Sequence, residues 1–220
     1  MNPSPLAPPF RAMLRRLPAL AALIVVTVIL ASCSLSRPTP VKRTFLLEPT
    51  LPAAATGNPK AATVRMGVVN VAAPFRGKTF TYRETDLRYE SDYYDEFFIA
   101  PAIMFSDATA KALAASNVFR RFVPFGAASD EGEYVLDGFV SELYADTRNA
   151  AAPAAVITIT YYLTPTNVIG QSVVWTKEYR QRTKAASADP DAIARGWNEA
   201  LSAILGELTR DLATASLPKP

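Results

Sequence analysis

Between residues 133 and 183, three runs of strand-forming residues follow one another with only turns between them. This pattern constrains the fold more than any other feature of the chain. The runs Glu133–Arg148, Ala155–Thr164 and Val173–Thr183 all carry strand chemistry. In the second, Ile157, Ile159, Tyr161 and Leu163 alternate with Thr158, Thr160 and Tyr162, which makes one face more apolar than the other. Arg148–Pro153 and Pro165–Gln171 read as the turns, and the arrangement predicts an antiparallel meander.

Further strands are predicted upstream at Thr44–Glu48, at Thr63–Ala73 (closed by Pro74), and at Val118–Val123. Lys78–Arg83 and Leu87–Glu90 form a predicted hairpin around Glu84-Thr85-Asp86. Pro49–Ala62 reads as a loop and Ser91–Glu96 as a polar, aromatic connector. Two helices are expected. The first starts at Pro101, carries Met104, Phe105, Ala108, Ala112 and Ala115 on one stripe, and stops at Asn117. The second is capped by Asp189 with Pro190 in its first turn. Its stripe runs Ile193, Trp197, Leu201, Ile204/Leu205, Leu208 and Leu212. The expected class is therefore α+β: an antiparallel β-sheet with two amphipathic helices packed on one face. Neither an internal repeat nor a second domain is visible.

The first 32 residues stand outside this fold. Arg11, Arg15 and Arg16 make a positive start with no acid before residue 33, and Ala19–Ala31 is apolar apart from Thr27. As a helix these 13 residues rise about 20 Å, against roughly 30 Å of bilayer hydrocarbon. That is short for a span and suits a cleaved signal. Counting from Leu17 lengthens the run, so an uncleaved transmembrane helix is the competing reading. Cys33, the only cysteine in 220 residues, ends the segment Leu30-Ala31-Ser32-Cys33. Without residues 1–32, 20 basic residues balance 20 acidic ones, and no basic run remains to track a phosphate backbone. Any membrane attachment then has to come from acyl chains rather than a polybasic patch.

What the sequence lacks narrows the chemistry. There is no histidine, which excludes a Ser-His-Asp triad, histidine-ligated zinc and imidazole proton transfer. A single cysteine can form no disulfide within the chain, and acylation of Cys33 would leave no thiol catalyst. Carboxylates, tyrosines and lysines remain. The acid clusters Asp92/Asp95/Glu96 and Asp130/Glu131/Glu133 read as turn punctuation, since a catalytic carboxyl pair needs one desolvated member. No enzyme activity, cofactor or metal is expected.

Leu30-Ala31-Ser32-Cys33 resembles the lipobox of bacterial lipoproteins. In that pattern Leu30, Ala31 and Ser32 are the signal-peptidase recognition residues and Cys33 receives the acyl chains, palmitate among them. Several features then resemble the ABC-type transport auxiliary lipoproteins: a proline-bearing tether, Phe45-Leu46-Leu47, Tyr82-Arg83 after the long second strand, and Tyr94-x-x-Phe97-Phe98-x-x-Pro101 leading into a helix with Leu113-Ala114-x-Ser116-x-x-Phe119. Phe98 stands where that family often has tryptophan, and Ala100 where it often has an acid. The resemblance implies a signal peptide (1–32), a lipidated Cys and tether (33–43), and one periplasmic domain (44–216). It further implies a non-catalytic accessory of a lipid-transport system, with an MCE-domain protein and an ABC permease/ATPase as partners, and self-association as a homo-oligomer. Ser34, in place of an aspartate, implies sorting to the outer membrane, facing the periplasm. The tether reaches at most roughly 33 Å at 3.3 Å per residue.

Two other readings stay open at this stage. One is an envelope scaffold for outer-membrane or cell-wall assembly, with the same anchor and a different partner. The other is a direct lipid carrier, which needs an apolar cavity between sheet and helices. Tyr82, Arg83, Tyr93 and Tyr94 are the candidate partner-binding residues, because tyrosine and arginine supply amphipathic contact area at interfaces. Phe98, Phe119 and Trp197 are expected in the core. Arg120-Arg121 and Arg180/Arg182 are expected on solvated strand faces.

Overall fold

A computed structural model of the chain describes residues 41–124, 126, 132–166 and 172–218. The chain divides into a first unit, Met1–Val41, and a second, Lys42–Pro220. Leu30, Ala31, Ser32, Cys33 and Ser34, together with Asp130, Glu131 and most of the 165–171 turn, lie outside the described residues.

The second unit runs β1 (Arg43–Phe45), β2 (Lys60–Val71), a 3₁₀ turn (Ala73–Phe75), β3 (Thr79–Arg83), β4 (Tyr89–Phe97), α1 (Pro101–Ser116), β5 (Phe119–Val123), β6 (Tyr134–Asp146), β7 (Ala154–Pro165), β8 (Trp175–Lys184) and α2 (Pro190–Thr214). The α+β class stands, with eight strands in one sheet and both helices packed on it. α1 lies over β2 and β5, α2 lies over β7 and β8, and the helices touch each other.

The pairing inside the sheet departs from the all-antiparallel expectation. β6, β7 and β8 do form the antiparallel meander. On its other edge β6 pairs in parallel with β2 over Tyr134–Val140, and again in parallel with β3 at Ala145 and Asp146. The sheet therefore forks at β6. One branch continues to β5, parallel to β2; the other continues through β4, antiparallel to β3, to β1, parallel to β4. Helix α1 lies in the long connection from β2 to β5, and such crossovers return a strand in the parallel sense.

Local signals explain the helix ends. Asp189 accepts the N–H of Asp191 at 2.9 Å and Pro190 occupies the first turn of α2. Asn117 stops α1 in the left-handed region at φ 55°. The α2 stripe is fully buried from Ile193 to Leu212. On α1, Met104, Phe105, Ala108, Ala112, Leu113 and Ser116 face inward, whereas Ala115 is exposed, contrary to the stripe read from the sequence. Trp197 is fully enclosed, with ring centroids 4.7 Å from Phe80 and 5.3 Å from Phe97. Phe119 is buried as expected.

Two glycines mark places where a side chain cannot fit. A Cβ at Gly67 would lie 2.1 Å from Asp137 Oδ1, at a bulge where β2 slips against β6 and where that same oxygen accepts the Val68 N–H. A Cβ at Gly196 would lie 2.9 Å from Ala155 Cβ, so α2 sits very close to β7.

Candidate functional site

The stretch read as a connector, Ser91–Glu96, is part of β4, but the strand is interrupted there. Thr79 of β3 faces Glu96 and Thr81 faces Ser91, which leaves residues 92–95 of β4 opposite Phe80 alone. The surplus residues form a wide bulge. The Asp92 carboxylate stabilises it by accepting the N–H groups of Tyr94 at 2.7 Å and Asp95 at 3.1 Å.

The bulge sorts its side chains. Asp95 turns inward, 4 % exposed, and accepts Arg43 Nε at 2.7 Å and Nη2 at 3.0 Å. This bidentate pair ties β1 to β4 exactly where their backbones are in register. Tyr93 and Tyr94 turn outward, 72 % and 40 % exposed, with their rings edge to face at 5.1 Å. Lys42 sits 5.2 Å from the Tyr93 ring centre and 3.6 Å from Glu96.

Tyr82 and Arg83 behave differently. Tyr82 is half-buried against the core; burial first, then the Asp92 and Asp95 carboxylates, push its hydroxyl well above the ordinary tyrosine range. Arg83 is a strut. It donates to Tyr144 Oη at 3.3 Å and to the Asp86 carbonyl at 3.1 Å, and its guanidinium lies over the rings of Tyr89 and Tyr144. Phe75 completes this cluster against both rings. Of the four candidate contact residues, the fold presents Tyr93 and Tyr94 as an adjacent pair and commits Tyr82 and Arg83 to internal packing.

Phe98 corrects the sequence reading. Phe97 takes the core position, and the next residue along a strand faces the other way, so Phe98 is 59 % exposed. Its N–H donates to the Phe45 carbonyl at 2.7 Å, which sets it beside Leu46, itself 44 % exposed. Leu46, Leu51, Ile99, Met104 and Lys111 line a groove of about 220 Å³ between the segment after β1 and α1.

Sequence reasoning missed a second feature, a polar cleft of about 490 Å³ at the ends of the β3–β4 and β6–β7 hairpins. At its base Asp146, 3 % exposed, accepts Arg148 Nε and Nη2 at 3.0 and 2.9 Å, and Arg182 Nη2 at 3.2 Å. Arg148 also reaches Asp86 at 2.6 Å. The hydrogen bond from Arg148 holds the Asp146 carboxyl far below its usual range, and Arg182 adds to the effect. Glu142 and Asp211 are lowered too. Burial opposes the shift in both, but Thr158 and Arg180 outweigh it at Glu142, and Lys177 and Tyr179 outweigh it at Asp211. A general acid needs the opposite shift. Arg180 and Arg182 are thus exposed, as expected, and also paired to sheet carboxylates. Among the described residues no group of acids, histidines and cysteines is placed to hold a metal, and no helix is long and apolar enough to cross a membrane.

No protein-family model matches the sequence, and no curated protein matches it. The fold, in contrast, has solved counterparts. A Xanthomonas campestris protein assigned to the family DUF330 superposes with a TM-score of 0.67 at 17% identity, over 77% of this chain and 95% of its own. An uncharacterized protein superposes with a TM-score of 0.53 at 13% identity, over 79% of this chain and 97% of its own. The dodecameric PelC of Paraburkholderia phytofirmans aligns at a TM-score of only 0.38 and 18% identity, over 71% of this chain and 92% of its own, a likeness too low to bear on assembly. At these identities what is shared is the fold: this chain has the architecture of the DUF330 protein.

Proposed function

We propose that this chain is a lipid-anchored, non-catalytic accessory lipoprotein of the cell envelope. It is held on the periplasmic side of the outer membrane and serves an ABC- and MCE-type (phospho)lipid transport system. The observation that carries the reading is Leu30-Ala31-Ser32-Cys33 at the end of a basic-then-apolar leader, with the chain's single cysteine as the acylation point.

The lipid-carrier alternative loses ground. Trp197, Tyr161, Leu163 and Ile157 are fully buried between sheet and helices, where a carrier would need its cavity. The groove beside α1 has about 220 Å³, below the roughly 300 Å³ at which ligand pockets begin, and the cleft of about 360 Å³ beside Tyr134 and Leu217 lies at the end of α2 rather than between the layers.

The test has two stages. Cells fed labelled palmitate are expected to label the wild-type protein and not Cys33→Ser, which leaves the membrane fraction. Crosslinking and affinity purification of the labelled protein are expected to recover an MCE-domain protein, a permease and an ATPase. Failure of the first stage overturns the anchor, and failure of the second overturns the transporter role alone.

A further inference from the structure

The exposed apolar surface of the domain is unevenly spread. Twelve large apolar or aromatic side chains are exposed among the described residues, and six of them, Leu46, Leu51, Tyr93, Tyr94, Phe98 and Ile103, fall on the segment after β1, on the β4 bulge, just past the end of β4 and in the first turn of α1. Neighbouring residues link these positions. Phe98 is hydrogen-bonded to the Phe45 carbonyl next to Leu46. Leu46 and Leu51 share the groove with Met104, one residue along α1 from Ile103. Lys42, at the start of β1, lies against Tyr93. We infer that this strip is the face the domain turns to the lipid bilayer that holds its own anchor.

Three observations favour a bilayer as the occupant. The first is chain length. This inference rests on Cys33 being acylated, and β1 begins only ten residues later, a connection that spans at most about 33 Å. The strip adjoins β1, so an acylated Cys33 holds the start of this face within about 33 Å of the bilayer. The second is residue type. Tyrosines with an apolar body and a polar tip, beside leucine, isoleucine and phenylalanine, are the composition of a membrane–water interface. The third is charge. Lys42 and Lys78 flank Glu96 at 3.6 and 3.8 Å, and Asp92 is occupied by two backbone N–H groups. The strip thus carries no excess of positive charge and suits a zwitterionic surface. Acyl chains supply the attachment, and the strip supplies the orientation.

The test uses the full acylated protein reconstituted into phosphatidylcholine vesicles whose acyl chains carry bromine, a short-range quencher of indole fluorescence. One variant is Tyr93→Trp. The other is Phe139→Trp on β6, whose ring is 39 % exposed on the sheet face away from the helices. The native Trp197 and Trp175 form a background common to both. A ring settled about 5–10 Å into the headgroup boundary is expected to lose roughly twofold or more emission relative to unbrominated vesicles, and the Phe139→Trp indole very little. Leu46→Trp is expected to follow Tyr93→Trp, which guards against an effect confined to the bulge. Equal quenching at 93 and 139 in protein that floats with the vesicles overturns this inference and leaves the anchor intact. So does an indole at 93 that is indifferent to bromine yet changes when purified transporter subunits are added, because the strip is then a protein interface. Protein that does not float overturns the anchor, and this inference with it.

Discussion

Replacing Asp146 with asparagine tests how the β3–β4 branch of the forked sheet is held to the β6–β7–β8 meander. Asp146 ends β6 where that strand pairs with β3 on one side and β7 on the other. Its carboxylate gathers Arg148 and Arg182, and Arg148 in turn holds Asp86 in the β3–β4 hairpin. Asparagine keeps the shape but removes the charge, and its amide can present a donor to guanidinium donors. A hydrogen bond to a charged group contributes about 1.5–3 kcal/mol. Breaking a fully buried ion pair costs about 3–5 kcal/mol, mostly through the charge left behind. Here the arginine side chains left behind are 39 % and 47 % exposed and can be rehydrated, which places the cost at the low end, about 2 kcal/mol.

Urea unfolding at pH 7 reads this directly. With a slope of about 2 kcal/mol/M, the midpoint falls by about 1 M. The pH dependence has a definite sign. The folded carboxyl is depressed, so its contribution is complete above the unfolded value near 3.9 and drains away as pH falls through the lower folded value. The wild-type and Asp146→Asn curves are therefore expected to converge below about pH 4. Glu142 and Asp211 shift in the same direction and weaken both proteins equally in acid, so the difference between the curves isolates Asp146. A loss under about 0.5 kcal/mol at pH 7, the level of an ordinary surface change, refutes the reasoning, as does a difference that persists unchanged in acid.

Other substitutions probe separate links. Gly67→Ala drives a methyl into Asp137 at the β2 bulge and is expected to cost about 1–3 kcal/mol, read as a lowered melting temperature. Asn117→Val, at φ 55°, is expected to lose about 1–2 kcal/mol in thermal unfolding, whereas Asn117→Gly retains wild-type stability. Trp197→Ala empties the site ringed by Phe80 and Phe97 and is expected to cost about 3–5 kcal/mol by denaturant titration, with loss of the near-ultraviolet aromatic signal.

The sequence was most legible where structure is local. The proline and aspartate at the start of α2 and the seven apolar positions behind them define that helix without help from the rest of the chain, and Asn117 ends α1 because few residues accept its backbone geometry. The β6–β7–β8 meander was legible for the same reason, since each strand is joined to the next by a turn. The parallel partners of β2 and β3 were not, because a strand's alternation records which face is buried and says nothing of which strand lies beside it. Asp146 was invisible on similar grounds: Asp86, Arg148 and Arg182 come from three separate turns and strands.

The surface around Tyr93 shows how one local irregularity changes a functional reading. Counting back from the buried Phe97 by twos places Asp95 and Tyr93 on the core side of β4. Asp95 is there, but Tyr93 is the most exposed of the tyrosines among the described residues that bear on the site, because the Asp92 turn inserts extra residues and breaks the count between the two. Just past the insertion, Asp95 holds Arg43 and so fixes β1 along the edge of the sheet. A single feature of the backbone therefore both exposes the aromatic pair and sets it beside the point where the chain enters the domain. An ordinary strand through residues 91–96 would keep Asp95 on the core side but bury Tyr93 with it, and the end of the domain where β1 begins would have no aromatic pair to present.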